Sequence, residues 1–188
     1  MNNRTKGISL AIITAVMWGI MGMFVRGLTG YAFTTFEISF FRCALAGGAY
    51  FLFLLFTKPS ALKINLKGLV ICLIGAVFVA NLIGGGDIKL DGIGILAGVI
   101  NGVGVALQIL LPKYFAKDYE RDTLLVYGFL GAAVVLMFGM DFGAVSSHMS
   151  STPTGVLLWN LFGIGILCTM VANVSCVKST QYVEATTT

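Results

Sequence analysis

Six stretches of this chain, each close to the ~20 residues that a helix needs to cross ~30 Å of hydrocarbon, constrain its fold more than any other feature. Residues 7–25, 68–86, 92–111, 124–140 and 155–177 carry no charge, and residues 38–56 carry only Arg42. The apolar runs are continuous rather than alternating, and a segment in lipid must satisfy its own backbone, so they predict helices and not barrel strands. Including polar ends, the helices are expected over 7–25, 33–56, 68–86, 92–111, 123–140 and 155–177. The fold class is an all-α integral membrane protein, a bundle of six transmembrane helices. Composition excludes a soluble enzyme, because 57% hydrophobic residues against 11% charged leave too little polar surface to face water.

The net charge of +4 does not point to nucleic acid, since the cations are scattered between apolar runs and form no basic face. Counted along alternating sides, Arg4, Lys6, Lys58, Lys63, Lys67, Lys113, Lys117, Arg121 and Lys178 fall together, with Arg26 and Lys89 opposite. The positive-inside rule then places both termini in the cytoplasm. The first run is preceded by Arg4 and Lys6, but it is too long for a signal-peptide core and Met23-Phe24-Val25-Arg26 offers no cleavage site, so it is expected to remain as an anchor. Connections are short, and the Ser/Thr-rich stretch 141–153 reads as an outer loop. Cys43, Cys72, Cys168 and Cys176 sit inside apolar runs at no metal-like spacing and read as small buried hydrophobes.

On the first helix, Ala11, Ala15, Gly19 and Gly22 recur on one face that Arg26 continues, a stripe that allows close helix approach. The fourth carries Gly94, Gly98, Asn101 and Gln108 on one stripe, with Gly98 and Gly102 as a GxxxG pair. Asn101 and Gln108 either join helices by hydrogen bonds or line a solute path. Arg42 costs roughly 2.5–3.5 kcal/mol on insertion scales at mid-membrane unless paired or snorkelling, and reads either as functional or as a snorkelling cation. Glu37, five residues earlier and on another face, is the one carboxylate within reach of the membrane for proton coupling; its plainer reading is a surface carboxylate. His148 reads as a solvated loop residue, and Asn173-Val174-Ser175 is a glycosylation sequon placed inside a helix. No HExxH, phosphate loop or nucleophile elbow occurs, so no enzyme activity, metal or cofactor is expected.

The first two helices align weakly with the fourth and fifth. Trp18 falls on Val105, Ala11 on Gly98, Gly19 on Ala106 and Arg26 on Lys113; after one inserted residue Phe41-Arg42-Cys43-Ala44 falls on Phe129-Leu130-Gly131-Ala132. The two copies start on opposite sides, the pattern of inverted repeats and alternating access. On these residues the chain resembles the EamA-type members of the drug/metabolite transporter superfamily. Trp18-Gly19 followed by Arg26 resembles that family's opening helix. Phe40-Phe41-Arg42-Cys43-Ala44-Leu45 resembles its second, residues 92–114 the start of its second repeat, and residues 169–185, with Lys178, Tyr182, Val183, Glu184 and Ala185, the approach to a later helix. The resemblance implies ten helices in two inverted repeats. Against it, residues 1–86 read as a first-repeat remnant and 87–188 as a second, with a hairpin missing after Ala61 and the last two helices after Thr188. It implies a transporter of a small metabolite or drug-like solute, shortened and dependent on complementing helices or a second copy, with Trp18, Gly22, Arg42, Asn101 and Gln108 as substrate-path candidates. The competing expectation is a non-transporting membrane assembly protein built on the glycine-rich faces. The expected partners are the lipid bilayer and an unidentified small solute, with no nucleic acid.

Overall fold

The structure, a computed structural model, describes residues 3–64, 70 and 120–187. All regular structure among the described residues is helical: α1 (Asn3–Thr29), α2 (Thr35–Thr57) with a short 3-10 turn (Pro59–Leu62), α3 (Arg121–Met137), α4 (Phe142–Ser151), α5 (Thr154–Phe162), a π-helical segment (Gly163–Val171) and α6 (Ala172–Thr187). Three helices are long and apolar enough to cross a membrane, Asn3–Thr29, Thr35–Thr57 and Thr154–Tyr182; α3 and α4 together, bent by 103°, make a fourth candidate. Apart from Val70, the expected helices over 68–86 and 92–111 lie outside the described residues.

The start of α2 follows from local chemistry. Thr34 and Glu37 form a reciprocal capping box, the Thr34 hydroxyl accepting from the Glu37 N–H and the Glu37 carboxylate from the Thr34 N–H, which satisfies two donors that a helix start leaves open. Just before it, Ala32 holds a φ of 67° in the tight turn between α1 and α2. A Cβ in that left-handed region costs roughly 1–2 kcal/mol. Replacing Ala32 by Gly is therefore expected to stabilise the fold, by up to about 1 kcal/mol once glycine's greater backbone entropy loss is counted, as read from denaturant unfolding in micelles.

Side-chain contacts fix the relative directions of the helices. The Ser179 hydroxyl donates to the Gly7 carbonyl at 2.8 Å and the Thr14 hydroxyl to the Ala172 carbonyl at 3.2 Å. At the other end of α1, Phe24 packs over Gly163 and the Asn160 amide over Gly27, so α1 runs antiparallel to the α5–α6 rod. Leu45 of α2 meets Gly165, while Ile38 clusters with Leu157 and Leu161, and Tyr50 and Leu54 with Val174, so α2 runs parallel to the same rod. Between α2 and α3 the direction reverses again: Gly47 lies against Phe129 and Leu130, and Phe36 against Gly139. Their shared core is Cys43, Ala46, Phe129, Ala132, Ala133 and Leu136.

These directions gather the start of α1, the end of α2, the start of α3 and the end of α6 at one end, the termini end. The turn before α2 and the whole of α4 lie at the opposite end. The chain therefore leaves α2 and returns at Glu120 on the same side. A seam joins the two points: the Thr123 hydroxyl donates to the Ala61 carbonyl, the Tyr127 hydroxyl to the Leu62 carbonyl at 2.8 Å, and Lys58 pairs with Glu120 at 2.6 Å. The hydrogen bond to Glu120 holds the Lys58 ammonium above the usual lysine range. Because the folded value is raised, this exposed pair favours the fold at neutral pH and loses that contribution as pH climbs through the lysine range.

Two expectations are corrected here. The fifth helix ends at Met137, three residues before the expected 140, and residues 141–153 are not a loop. Asp141 caps α4 by accepting from the N–H groups of Gly143 at 2.9 Å and Ala144 at 3.2 Å. Three serine or threonine hydroxyls in the last turn, those of Ser150, Ser151 and Thr152, donate back to carbonyls three or four residues earlier. The end of this polar helix thus satisfies its hydroxyls internally while lying across the end of the bundle.

Candidate functional site

Two ionisable side chains of α2, Glu37 and Arg42, lie within the described apolar bundle, whereas Thr14, Thr123, Thr169, Ser175 and Ser179 are buried hydroxyls spread along the other helices. Glu37, placed at the third helical position by its capping box, is 4% exposed. Its Oε2 accepts from the Thr34 N–H at 2.8 Å and lies 3.3 Å from His148 Nδ1 on α4. His148 is half-buried and packs its ring on Phe33 with centroids 5.6 Å apart, and Phe33 in turn meets Phe41 edge-on at 6.3 Å. Both expectations for these residues are thereby overturned. Glu37 is not a surface carboxylate, because its position in the first turn of α2 lies beneath α4. His148 is not a solvated loop residue, because α4 folds back and carries it onto Glu37.

The missed partner had a signal. Asp141 followed by ten residues and Thr152-Pro153 reads as a helix start and stop, with His148 in the last turn. The composition of that stretch masked it.

Arg42 lies seven residues into α2, about 10 Å from its start at ~1.5 Å per residue. Its Nη1 reaches Met21 Sδ on α1 at 3.7 Å. Glu37 and Arg42 thus address different neighbours, His148 on α4 and Met21 on α1, as their five-residue separation predicts. Met21 is partly buried against the core, whereas Gly22, the next residue, points about 100° further round α1 and is exposed with Trp18, so of the path candidates only Arg42 is seen in contact with α1, and that contact is to Met21. Asn101 and Gln108 lie outside the described residues.

The small stripe of α1 does not bury itself among the described helices. Ala11, Ala15, Gly19 and Gly22 are exposed, Trp18 is 39% exposed, and nothing described stands within 4 Å of where a Cβ would project at Gly19 or Gly22. The close approaches occur elsewhere. An added Cβ would clash with the Asn160 amide at Gly27 and stand 2.7 Å from Leu45 Cβ at Gly165. Sequence reasoning passed over both glycines, since neither belongs to a long small-residue stripe. Cys43 and Cys168 are buried free thiols, as their apolar context predicts, and Cys176 is partly buried.

Comparison with family models, with curated proteins and with solved structures finds no match. The functional reading therefore stands on the arrangement of these residues.

Proposed function

We propose that the chain is an integral membrane transporter of the type it resembles, EamA-like, carrying a small metabolite or drug-like solute across a cytoplasmic membrane by alternating access. The observation that carries this reading is Arg42: a guanidinium retained inside an apolar helix and in contact with Met21 of α1, a helix whose Trp18, Gly19 and Gly22 are left exposed by the described residues. An ionisable side chain inside a span is costly and characteristically faces a cavity or pathway rather than lipid.

Two further observations support it. The aligned tetrapeptides Phe41-Arg42-Cys43-Ala44 and Phe129-Leu130-Gly131-Ala132 lie on α2 and α3, which pack antiparallel. Stepping from Gly47 back to Phe36 steps from Phe129 on to Gly139, and both tetrapeptides fall within or beside that interval. Equivalent helices meeting head to tail are what a two-fold axis in the membrane plane produces. The return of the chain at Glu120 on the side where α2 ended also fits an even number of crossings between them, in keeping with six spans. With Arg4, Lys6, Lys58, Lys63 and Lys178 at the termini end and Arg26 at the other, the termini end is the cytoplasmic one.

Reporters fused after Lys58 and Thr188 are expected to report the cytoplasm, and one after Ser147 the outside. An inverted reporter at any of the three would overturn the orientation. Transport itself is tested by flux into liposomes holding the full chain, against a panel of amino acids and small drugs. Saturable uptake of one solute class is the expected result. Stable oligomers without uptake of any panel member would favour an assembly protein instead.

A further inference from the structure

We infer that Glu37 and His148 form a proton-operated latch: the imidazolium form of His148 docks α4 across the end of the bundle over Glu37, and loss of that proton loosens α4. The latch is a property of the fold and holds for a transporter and an assembly protein alike. The weak hold on α4 comes first. It is a helix of ten residues, below the ~12–15 at which an isolated helix becomes stable in water. Val145 is its one buried residue. Its polar groups turn on themselves, since Asp141 accepts from the N–H groups of Gly143 and Ala144 while the Ser150 and Ser151 hydroxyls donate to carbonyls of α4 itself. Among the described residues, the polar and ring contacts from α4 to the rest of the bundle are those of His148, which packs on Phe33 and stands 3.3 Å from Glu37 Oε2.

Glu37 supplies the fixed half of the pair. At the third helical position its carboxylate complements the positive end of α2 and accepts from the Thr34 N–H at 2.8 Å, contacts that belong to α2 whether or not α4 is docked. His148, carried by α4, is the half that moves. Its two protonation states meet the carboxylate differently. An imidazolium donates from Nδ1 in a charge-assisted bond, about twice as strong as a neutral one. A neutral imidazole makes an ordinary hydrogen bond when Nδ1 carries the proton, and sets a lone pair against the carboxylate when Nε2 carries it.

His148 is the only histidine of the chain, so no other imidazole changes charge between about pH 5 and 8. The other titratable or charged described residues toward this end are Arg26 in the last turn of α1, Tyr31 in the turn after it, Arg42 further along α2 and Asp141 at the start of α4; the last turn of α3 and all of α5 carry none. Arginine, tyrosine and aspartate side chains ordinarily change charge outside that interval. Docking therefore strengthens as pH falls through the imidazole range and weakens as pH rises through it. At still lower pH, protonating the carboxylate removes the anion, so the latch is tightest in the mildly acidic interval between the carboxylate and imidazole ranges.

The test is hydrogen–deuterium exchange of the full chain in micelles between about pH 5.5 and about pH 7.5, either side of the imidazole range, with rates corrected for the intrinsic pH dependence of amide exchange. Protection of α4 is expected to fall roughly threefold to fivefold from the lower to the higher pH, the scale of one charge-assisted bond exchanged for a neutral one, while that of α1 holds level. His148→Gln keeps a hydrogen-bonding side chain without the titration and should give α4 the same protection at both values. Glu37→Gln, which keeps an acceptor for the cap, should flatten the response from the other partner. Should Glu37→Gln fail to fold, His148→Gln, at a half-buried position, decides alone. Protection of α4 that is level in the unaltered chain, or that falls equally after His148→Gln, would overturn the latch. A fall shared equally by α1 would overturn it too, since that marks loosening of the whole bundle.

Discussion

Gly165→Leu is expected to destabilise the protein by about 3 kcal/mol more than Gly22→Leu, the upper part of the range for overpacking a filled interior. Both changes exchange a helical glycine for the same strong helix former, so intrinsic propensity largely cancels and the neighbours decide. At Gly165 the first added atom already stands 2.7 Å from Leu45 Cβ, an atom fixed to the backbone of α2, so α2 and the π segment would have to separate. At Gly22 the side chain meets no described atom within 4 Å. Detergent-titrated unfolding of the two variants, read by circular dichroism, gives the difference. Equal stabilities would mean that the contact between α2 and the π segment does not organise the bundle.

The second large effect is expected at Glu37. Glu37→Leu removes the acceptor of the Thr34 N–H and the partner of His148 together, at a cost of about 2 kcal/mol, the sum of a lost helix cap and a buried polar group left without its partner. Glu37→Gln keeps an acceptor for the cap and should recover much of that loss. A double-mutant cycle over Glu37→Gln and His148→Ala is expected to return a coupling of about 1 kcal/mol, within the usual range for groups in direct contact. Additive effects of the two changes would show that α4 is held without help from the carboxylate, through Val145, the buried residue of that helix.

How much of this was legible in the sequence depends on which forces each element needs. The helices α1, α2 and the long rod from Thr154 need only continuous apolar length, which is local, and their runs predict them to within a few residues at most ends. The capping box at Thr34 and Glu37 is local too and fits the four-residue pattern at the start of α2. What the pattern does not carry is burial. Glu37 is covered because α4 folds across it at a bend of 103°, and nothing within α2 encodes that arrival.

The site residues divide the same way. Arg42 stands out in any reading because a charge interrupts an apolar run. Met21 as its neighbour, His148 as the partner of Glu37, and the close approaches at Gly27 and Gly165 depend on residues distant in sequence. The α1 stripe illustrates the converse error: small residues at helical spacing permit close packing, but the described helices pack on the other side of α1, through Gly7, Thr14 and Leu28.

The π-helical segment amounts to an insertion that the protein cannot discard at the surface. Elsewhere an extra residue bulges into a loop, where water satisfies the displaced backbone. Inside an apolar rod that route is closed, and a wider turn keeps every carbonyl paired. Its mark is the Thr169 hydroxyl, which donates five residues back to the Ile164 carbonyl at 2.6 Å. One residue added outside that segment, with no wider turn to absorb it, would rotate everything beyond it by about 100°. Ser179 would then swing away from Gly7, and the hydroxyls of α6 would turn away from α1. The wider turn thus preserves which face of the final helix the first helix reads, and a length change that it does not absorb is a change of address rather than a loss of helix.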